Sequence, residues 1–274
     1  MTRLAELAGA RELTVNLILR DLRSKYKRSV LGWTWSLLNP LSTVIIFSIV
    51  FKFFLKIEPP VGDPSGLHNF AAFMLCGLLA YRFLSDGMTT CMEALTGNGA
   101  LITKVYFPRE VLVISCVGSL LVTFLIEMGV LLVILLIMGN NVIPWIPVAL
   151  LIMVLETAIV LGVGFLLSVL NVYVRDVKHL VTISLQALFY SAPIVYPISF
   201  VPDEAEVFGY TIPLGEIYRL NPLVTLVQAT RDVLYNLTFP SIGSLLYLAA
   251  WGAGTLTVGL WVFTKLSPRL AEEV

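Results

Sequence analysis

The stretch 11-RELTVNLILRDLRSKYKR-28, followed by 29-SVLGWTWSLLNP-40, decides how this chain is read. In its first half Val15, Ile18, Leu19, Leu22 and Tyr26 recur at i, i+3, i+4, i+7 and i+11, which is one face of a helix. Arg20, Arg23, Lys25, Lys27 and Arg28 crowd the rest of its surface. A basic amphipathic helix of low net hydrophobicity lies in the headgroup plane instead of crossing the bilayer. A helix packed on a soluble core would show the same periodicity, so the remainder of the chain has to decide. Trp33 and Trp35 follow, rings that suit the membrane interface. Asn39-Pro40 reads as an N-cap with proline in the first turn. The stretch predicts a chain that lies along the membrane, turns, and enters it.

The composition supports that prediction. The 274 residues are 58% hydrophobic and 13% charged, with a mean hydropathy of +0.89. Soluble domains carry roughly 25% charged residues. A span needs about 20 mostly apolar residues. Six are expected, over 41–57, 70–95, 111–138, 142–170, 180–200 and 242–264, with Arg82 and Asp86 interrupting the second. Gly139-Asn140-Asn141 joins the third and fourth as a tight hairpin. Segments 1–37, 93–110, 171–179 and 265–274 hold 13 of the 18 Lys and Arg residues. The positive-inside rule then places both termini in the cytoplasm. The whole chain, 1–274, reads as one membrane domain: interfacial and gate helices over 1–37, and the six-span bundle over 38–274.

The opposite-side segment 201–241 is too long for a plain connection, and NPLVTLVQATRDVLY at 221–235 again opens with Asn-Pro. LNPLSTVI at Leu38 and LNPLVTLV at Leu220 are near echoes. Both read as helix starts. The second is a short helix, either re-entrant or resting on the outer surface, since irregular backbone at membrane depth is tolerated only against protein or a watery cavity.

Several residues stand out as candidates for function. In NGALITKVYFPRE (98–110), Leu101, Ile102, Lys104, Tyr106, Phe107, Pro108, Arg109 and Glu110 form a short apolar-basic element on the cytoplasmic side. Such exposure suits docking of another protein, against the alternative of an ordinary loop folded on the bundle. RDVKH (175–179) is a solvated loop or a second contact. Glu127 and Glu156 lie within spans, where a carboxylate costs roughly 2.5–3.5 kcal/mol and normally faces protein or water. They read as neutral, hydrogen-bonded acids holding the third and fourth spans together, or else as a proton relay or ion site. Arg82 and Asp86, four apart, could pair on one helix face. The aromatics Phe47, Phe51, Phe54, Phe189, Tyr190 and Tyr196 recur in the first and fifth spans, as packing or as the lining of a conduit. Pro193 and Pro197 disturb the fifth span and free carbonyls that need partners. No phosphate-binding Gly-Lys loop, HExxH, GxSxG or Cys/His metal spacing occurs. No catalytic residue, metal or nucleic-acid partner is expected of the chain itself.

RDLRSKYKRSVLGWTWSLLNPL, LITKVYFPRE, VRDVKHLV…LFYSAPIVYPIS and LNPLVTLVQATRDVLY, in this order along nearly the whole chain, resemble the permease subunits of type-2 ABC exporters for polysaccharides. Those exporters move lipid-linked O-antigen, teichoic acid, capsular or galactan chains. The resemblance implies an all-α integral membrane fold of six spans, an N-terminal interfacial helix and outer re-entrant helices. It implies a homodimer in the inner (plasma) membrane, working with two copies of a separate ABC ATPase, which binds ATP and Mg; this chain holds no cofactor. Residues 100–110 match the family's coupling helix, and 31–38 its cytoplasmic gate. Arg20, Arg23, Lys25, Lys27 and Arg28, with Trp33 and Trp35, would form the entrance for a lipid-pyrophosphate-linked polysaccharide. The first and fifth spans would line the conduit. Two other classes compete: an ion- or proton-coupled transporter, which Glu127 and Glu156 partly suit, and a membrane enzyme acting on lipid-linked sugars, for which no acidic or histidine cluster is visible.

Overall fold

The computed structural model describes residues 6, 9–25, 27, 31–32, 34–54, 56, 58–207 and 210–267. Arg28 and Trp33, both expected at the entrance, lie outside these, as does Tyr26 of the amphipathic face. The chain begins with α1 (Arg11–Lys25) and α2 (Thr34–Ser48), the latter extended by a π-helical turn, Ile49–Phe54. Next come α3 (Phe70–Met92), the short α4 (Gly99–Lys104), α5 (Glu110–Ile137), α6 (Ile146–Tyr173) and α7 (Val177–Ser191). The outer segment holds β1 (Ala205–Val207), β2 (Tyr210–Ile212), α8 (Leu214–Arg219) and α9 (Pro222–Arg231); α10 (Ile242–Leu266) ends the fold. The protein is an all-α membrane bundle, and the small antiparallel ribbon β1–β2, pairing Ala205 with Ile212, is an addition that apolar periodicity did not signal.

Among the described residues five helices are long and apolar enough to cross a membrane: 34–51, 70–92, 110–137, 143–173 and 242–266. The segment expected as the fifth span is different. Its helix α7 has 15 residues, about 22 Å at 1.5 Å per residue. Ala192 is extended (ψ 150°), as the ring of Pro193 demands of the residue before it. The rest of the segment is turns and extended backbone closed by a 3-10 turn, Ile198–Phe200.

The helix start at Asn39-Pro40 is corrected. α2 begins at Thr34, and Pro40 lies inside it. Ser36, Pro40 and Val44 are its buried residues, spaced i, i+4, i+8. Packing of this seam outweighs the hydrogen bond that proline forfeits to residue 36. At the second echo the reading holds: the Asn221 side chain accepts from the Leu223 N–H at 3.0 Å, with Pro222 in the first turn.

The packed face of α1 is also corrected. Leu17 and Leu22 are buried, while Val15 and Leu19 are exposed. Ile18 reaches α5 at Gly118, where an added Cβ would lie 2.7 Å from its Cδ1. The seam is therefore rotated from the expected stripe toward Leu17, Ile18 and Leu22. Val15 and Leu19 stay on the open side, which suits lipid contact.

α3 is the most enclosed helix, packed by α2, α5, α6, α7 and α9. Shielding from lipid is what lets it carry Arg82 and Asp86. α6 and α10 approach backbone to backbone: a Cβ on Gly259 would stand 2.0 Å from the Gly162 carbonyl oxygen. Small residues at such crossings are how membrane helices gain close contact. The α5–α6 turn uses Gly139 at φ +86°, which glycine adopts without strain.

Side-chain ties sort the connections onto two ends. At one end Arg20 meets Asn98, Asn171 meets Met92, Lys178 meets Glu93, and Tyr173 meets Leu266. At the other, Asn140 Nδ2 donates to the Leu234 carbonyl at 2.8 Å. There too the Tyr235 hydroxyl donates to the Pro60 carbonyl at 2.9 Å. The loops rich in Lys and Arg gather at the first end.

Candidate functional site

The first end carries residues 98–110, the segment for which docking is expected. α3 stops at Met92, and after one irregular turn α4 gives a single exposed helical turn. Ile102 is buried and anchors it, and Phe107 packs on the core. Tyr106 is 97% exposed and Val105 is exposed beside it. Leu101 leans on the core, while Lys104 projects to solvent. Pro108, Arg109 and Glu110 lead into α5 and help line a groove of about 530 Å³ together with Glu6 and Ser267. An aromatic ring held out on a fixed base is suited to insertion into another protein.

Two polar ties bracket this element. Arg20 Nη1 donates to Asn98 Oδ1 at 3.0 Å, and its Nη2 donates to Asp21 Oδ1 at 2.8 Å. On the other flank Lys178, from the RDVKH connection, pairs with Glu93. Exposed pairs of this kind contribute little stability. Their geometry nevertheless joins α1, the docking turn and the start of α7.

Between α1, α2, α3 and α5 lies a cavity of about 780 Å³. Arg20, Lys25, Trp35, Arg82, Asp86 and Glu127 stand on its wall, and Glu93 and Asn98 close it toward the docking turn. Of the expected entrance residues, Arg20, Lys25 and Trp35 are brought together here, whereas Arg23 and Lys27 are exposed outside it. Arg82 and Asp86 do not close to ion-pair distance, so the expected pair is corrected to two residues sharing a cavity wall. The wall is of mixed charge, a property that sequence spacing did not reveal.

The two intramembrane carboxylates part company. Glu127 faces this cavity. Glu156 is buried among Phe124, Met128, Thr230 and Val233, and its Oε1 has no hydrogen-bond partner among the described residues. At that oxygen no hydrogen bond to the third span is present among the described residues.

The aromatics of α2 and α7 form one cluster. The rings of Phe47 and Phe189 are 6.1 Å apart, and Phe51 stacks on Phe70 at 5.4 Å. Tyr81 joins α3 to this cluster, with its ring 5.2 Å from Phe189 and its hydroxyl donating to the Leu185 carbonyl at 2.8 Å. Tyr196 donates to the Tyr190 carbonyl at 3.0 Å. Its hydroxyl also lies 3.1 Å from that of Tyr218 on α8, whose acidity burial weakens. Phe54 and Tyr190 are exposed.

Sequence reading missed Arg231. It counted as an outer-loop cation, yet α9 is almost wholly buried and Arg231 is 2% exposed. α9 is thus inserted into the bundle instead of resting on it. Arg231 Nε donates to the Phe73 carbonyl at 3.2 Å, Nη2 to Ile194 at 2.6 Å, and Nη1 to Pro193. Its guanidinium carbon sits 3.6 Å from the Phe73 ring centroid. Burial pulls its pKa downward, but a guanidinium stays protonated at neutral pH. The clue was available: Pro193 and Pro197 create the orphan carbonyls that Arg231 meets.

The family described as "ABC-2 type transporter" matches residues 12–235. An O-antigen export system permease protein, RfbA, of Klebsiella pneumoniae is 30% identical over 264 residues, covering 95% of this chain and 94% of that protein. The protein of the same name from Myxococcus xanthus is 27% identical over 269 residues, 98% of each. The polysialic acid transport protein KpsM of Escherichia coli is 24% identical over 250 residues, 90% of each.

Proposed function

The chain belongs to the ABC-2 type transporter family, and from that premise we propose that it is the membrane subunit of an ATP-driven exporter of a lipid-pyrophosphate-linked polysaccharide. Two copies would pair with two copies of a separate ABC ATPase, which binds ATP and Mg, in the inner membrane. Both termini would face the cytoplasm, on the end where α1, Asn98 and Lys178 converge. Curated relatives named for O-antigen export and polysialic acid transport, aligned along 90% or more of the chain, support the cargo class.

The observation that carries the reading is Tyr106, held out by a buried Ile102 at the lysine- and arginine-rich end. ATP-driven closure of the partner would push on α4. Gly97 and Asn98, just before α4, are part of the cavity wall, so the push reaches the cavity and, through Arg20, the interfacial helix. The glycan would then move along the aromatic cluster of Phe47, Phe51, Phe54, Phe189, Tyr190 and Tyr196, whose flat faces give contacts of low specificity.

The test is purification of the tagged chain from native membranes, with ATPase activity assayed on the eluate. A stoichiometric ATPase partner, together with lipid-linked glycan accumulating when the chain is depleted, is the expected result. Recovery of the chain alone after gentle crosslinking would overturn it. The carboxylates facing the cavity favour one second reading, ion-coupled transport, which predicts transport by the purified chain without any ATPase.

A further inference from the structure

We propose that the cavity beneath α1 is a subsite for a sugar residue of the cargo, not for its anionic lipid head. The proposal rests on the export reading and deepens it. The first argument is charge. Arg20, Lys25 and Arg82 line one cavity together with Asp21, Asp86, Glu93 and Glu127. Arg20 is engaged by Asp21 and Asn98, and Glu93 by Lys178. A wall with four carboxylates to three cations is poorly suited to a pyrophosphate, because like charges across a contact are unfavourable.

The second argument is hydrogen-bonding capacity. A sugar ring presents hydroxyls that both donate and accept. Carboxylates and the Asn39 amide oxygen accept; the Arg82 guanidinium and the Asn39 amide nitrogen donate. The third is Trp35. It stands on this wall and is about half exposed, offering an indole face to the C–H face of a ring. A cavity of about 780 Å³ lies within the range of small-molecule sites. The anionic head is then left to the basic outer surface of α1, where Arg23 and Lys27 are exposed outside the cavity. A sugar seated here would touch the wall that runs through Gly97 and Asn98 into α4, so its presence would be felt at the docking turn.

The experiment uses the complex with its ATPase in lipid nanodiscs. ATPase stimulation is titrated with two probes: the polyprenyl-pyrophosphate glycan that accumulates in cells depleted of this chain, and polyprenyl pyrophosphate without sugar. The readout is the ratio of the two half-stimulating concentrations. The wild type should favour the glycan-bearing lipid by about tenfold or more, the scale of one good directional contact. Trp35→Ala, Glu127→Gln and Asp86→Asn should each lower that preference about fivefold, while Trp35→Phe, which keeps a ring, should retain most of it. An unchanged ratio in Glu127→Gln and Asp86→Asn, both isosteric, would overturn the proposal. So would equal tightening of both lipids in Glu127→Gln, because the cavity would then hold the phosphate. A wild-type complex that responds to neither lipid would instead sink the export reading, and the subsite with it.

Discussion

The guanidinium of Arg231 in α9 donates to the carbonyl of Ile194 at 2.6 Å, just beyond the point where α7 unwinds. Pro193 forces Ala192 into extended backbone, and the carbonyls that follow have no helical N–H to donate to them. Arg231 meets two of them and Phe73 besides. The outer helix, the broken span and α3 are therefore joined through one side chain. Replacing Arg231 with Met leaves the buried carbonyls of Pro193 and Ile194 without their donor, at about 1–3 kcal/mol each, whereas the Phe73 carbonyl keeps its place in the α3 ladder. We expect a loss of about 3 kcal/mol or more in detergent unfolding, with Arg231→Lys intermediate. A change under about 1 kcal/mol would show that these bonds do not hold the break.

The α6–α10 crossing gives a sharper contrast. A Cβ on Gly259 would meet backbone of Gly162 at 2.0 Å, whereas Gly254 has nothing within 4 Å. Gly259→Ala should destabilise by several kcal/mol, since backbone cannot step aside as a side chain can. Gly254→Ala should be neutral or slightly stabilising. Thermal unfolding of the two variants side by side decides it; equal midpoints would refute the close crossing.

At the docking turn the two neighbouring aromatics should behave differently. Tyr106→Ala should weaken capture of the ATPase about thirtyfold, the scale of an interface anchor of about 2 kcal/mol, without moving the unfolding midpoint. Phe107→Ala should lower the midpoint instead, because Phe107 packs on the core. Titration of the purified ATPase onto immobilised variants, paired with unfolding curves, separates the two effects. Normal capture by Tyr106→Ala would remove the docking role.

The two Asn-Pro motifs offer a control on helix capping. Asn221→Ala removes the bond to the Leu223 amide and should cost about 1 kcal/mol. Asn39→Ala removes no cap, since its helix starts at Thr34, and should change stability by less than about 0.5 kcal/mol. Comparable losses at both sites would mean that α2 begins later than the structure shows.

Much of the architecture was legible in the residues themselves. Of the six spans read from apolar length, five coincide with long apolar helices among the described residues, since apolar length is a one-dimensional property that bilayer thickness turns into helix. The exposed turn around Tyr106 was legible as an apolar-basic element too short to span, and docking is the role proposed for it. The ring cluster of Phe47 and Phe189 was anticipated only as two separate aromatic runs.

What the chain order could not state is which residues meet. Identical four-residue motifs diverge, Asn221 capping its helix while Pro40 is absorbed into another, because neighbouring helices decide where packing continues. Arg82, Asp86 and Glu127 are unremarkable as isolated intramembrane charges until α1, α3 and α5 enclose them with Trp35 in one cavity. Arg231 reads as a loop cation until α9 is buried and the orphan carbonyls of α7 surround it. Local sequence alone determines hydrophobic length and turn chemistry, since those act on neighbours along the chain. The partners of buried polar groups were decided only by the tertiary structure, because desolvation must be satisfied by whatever lies closest in space.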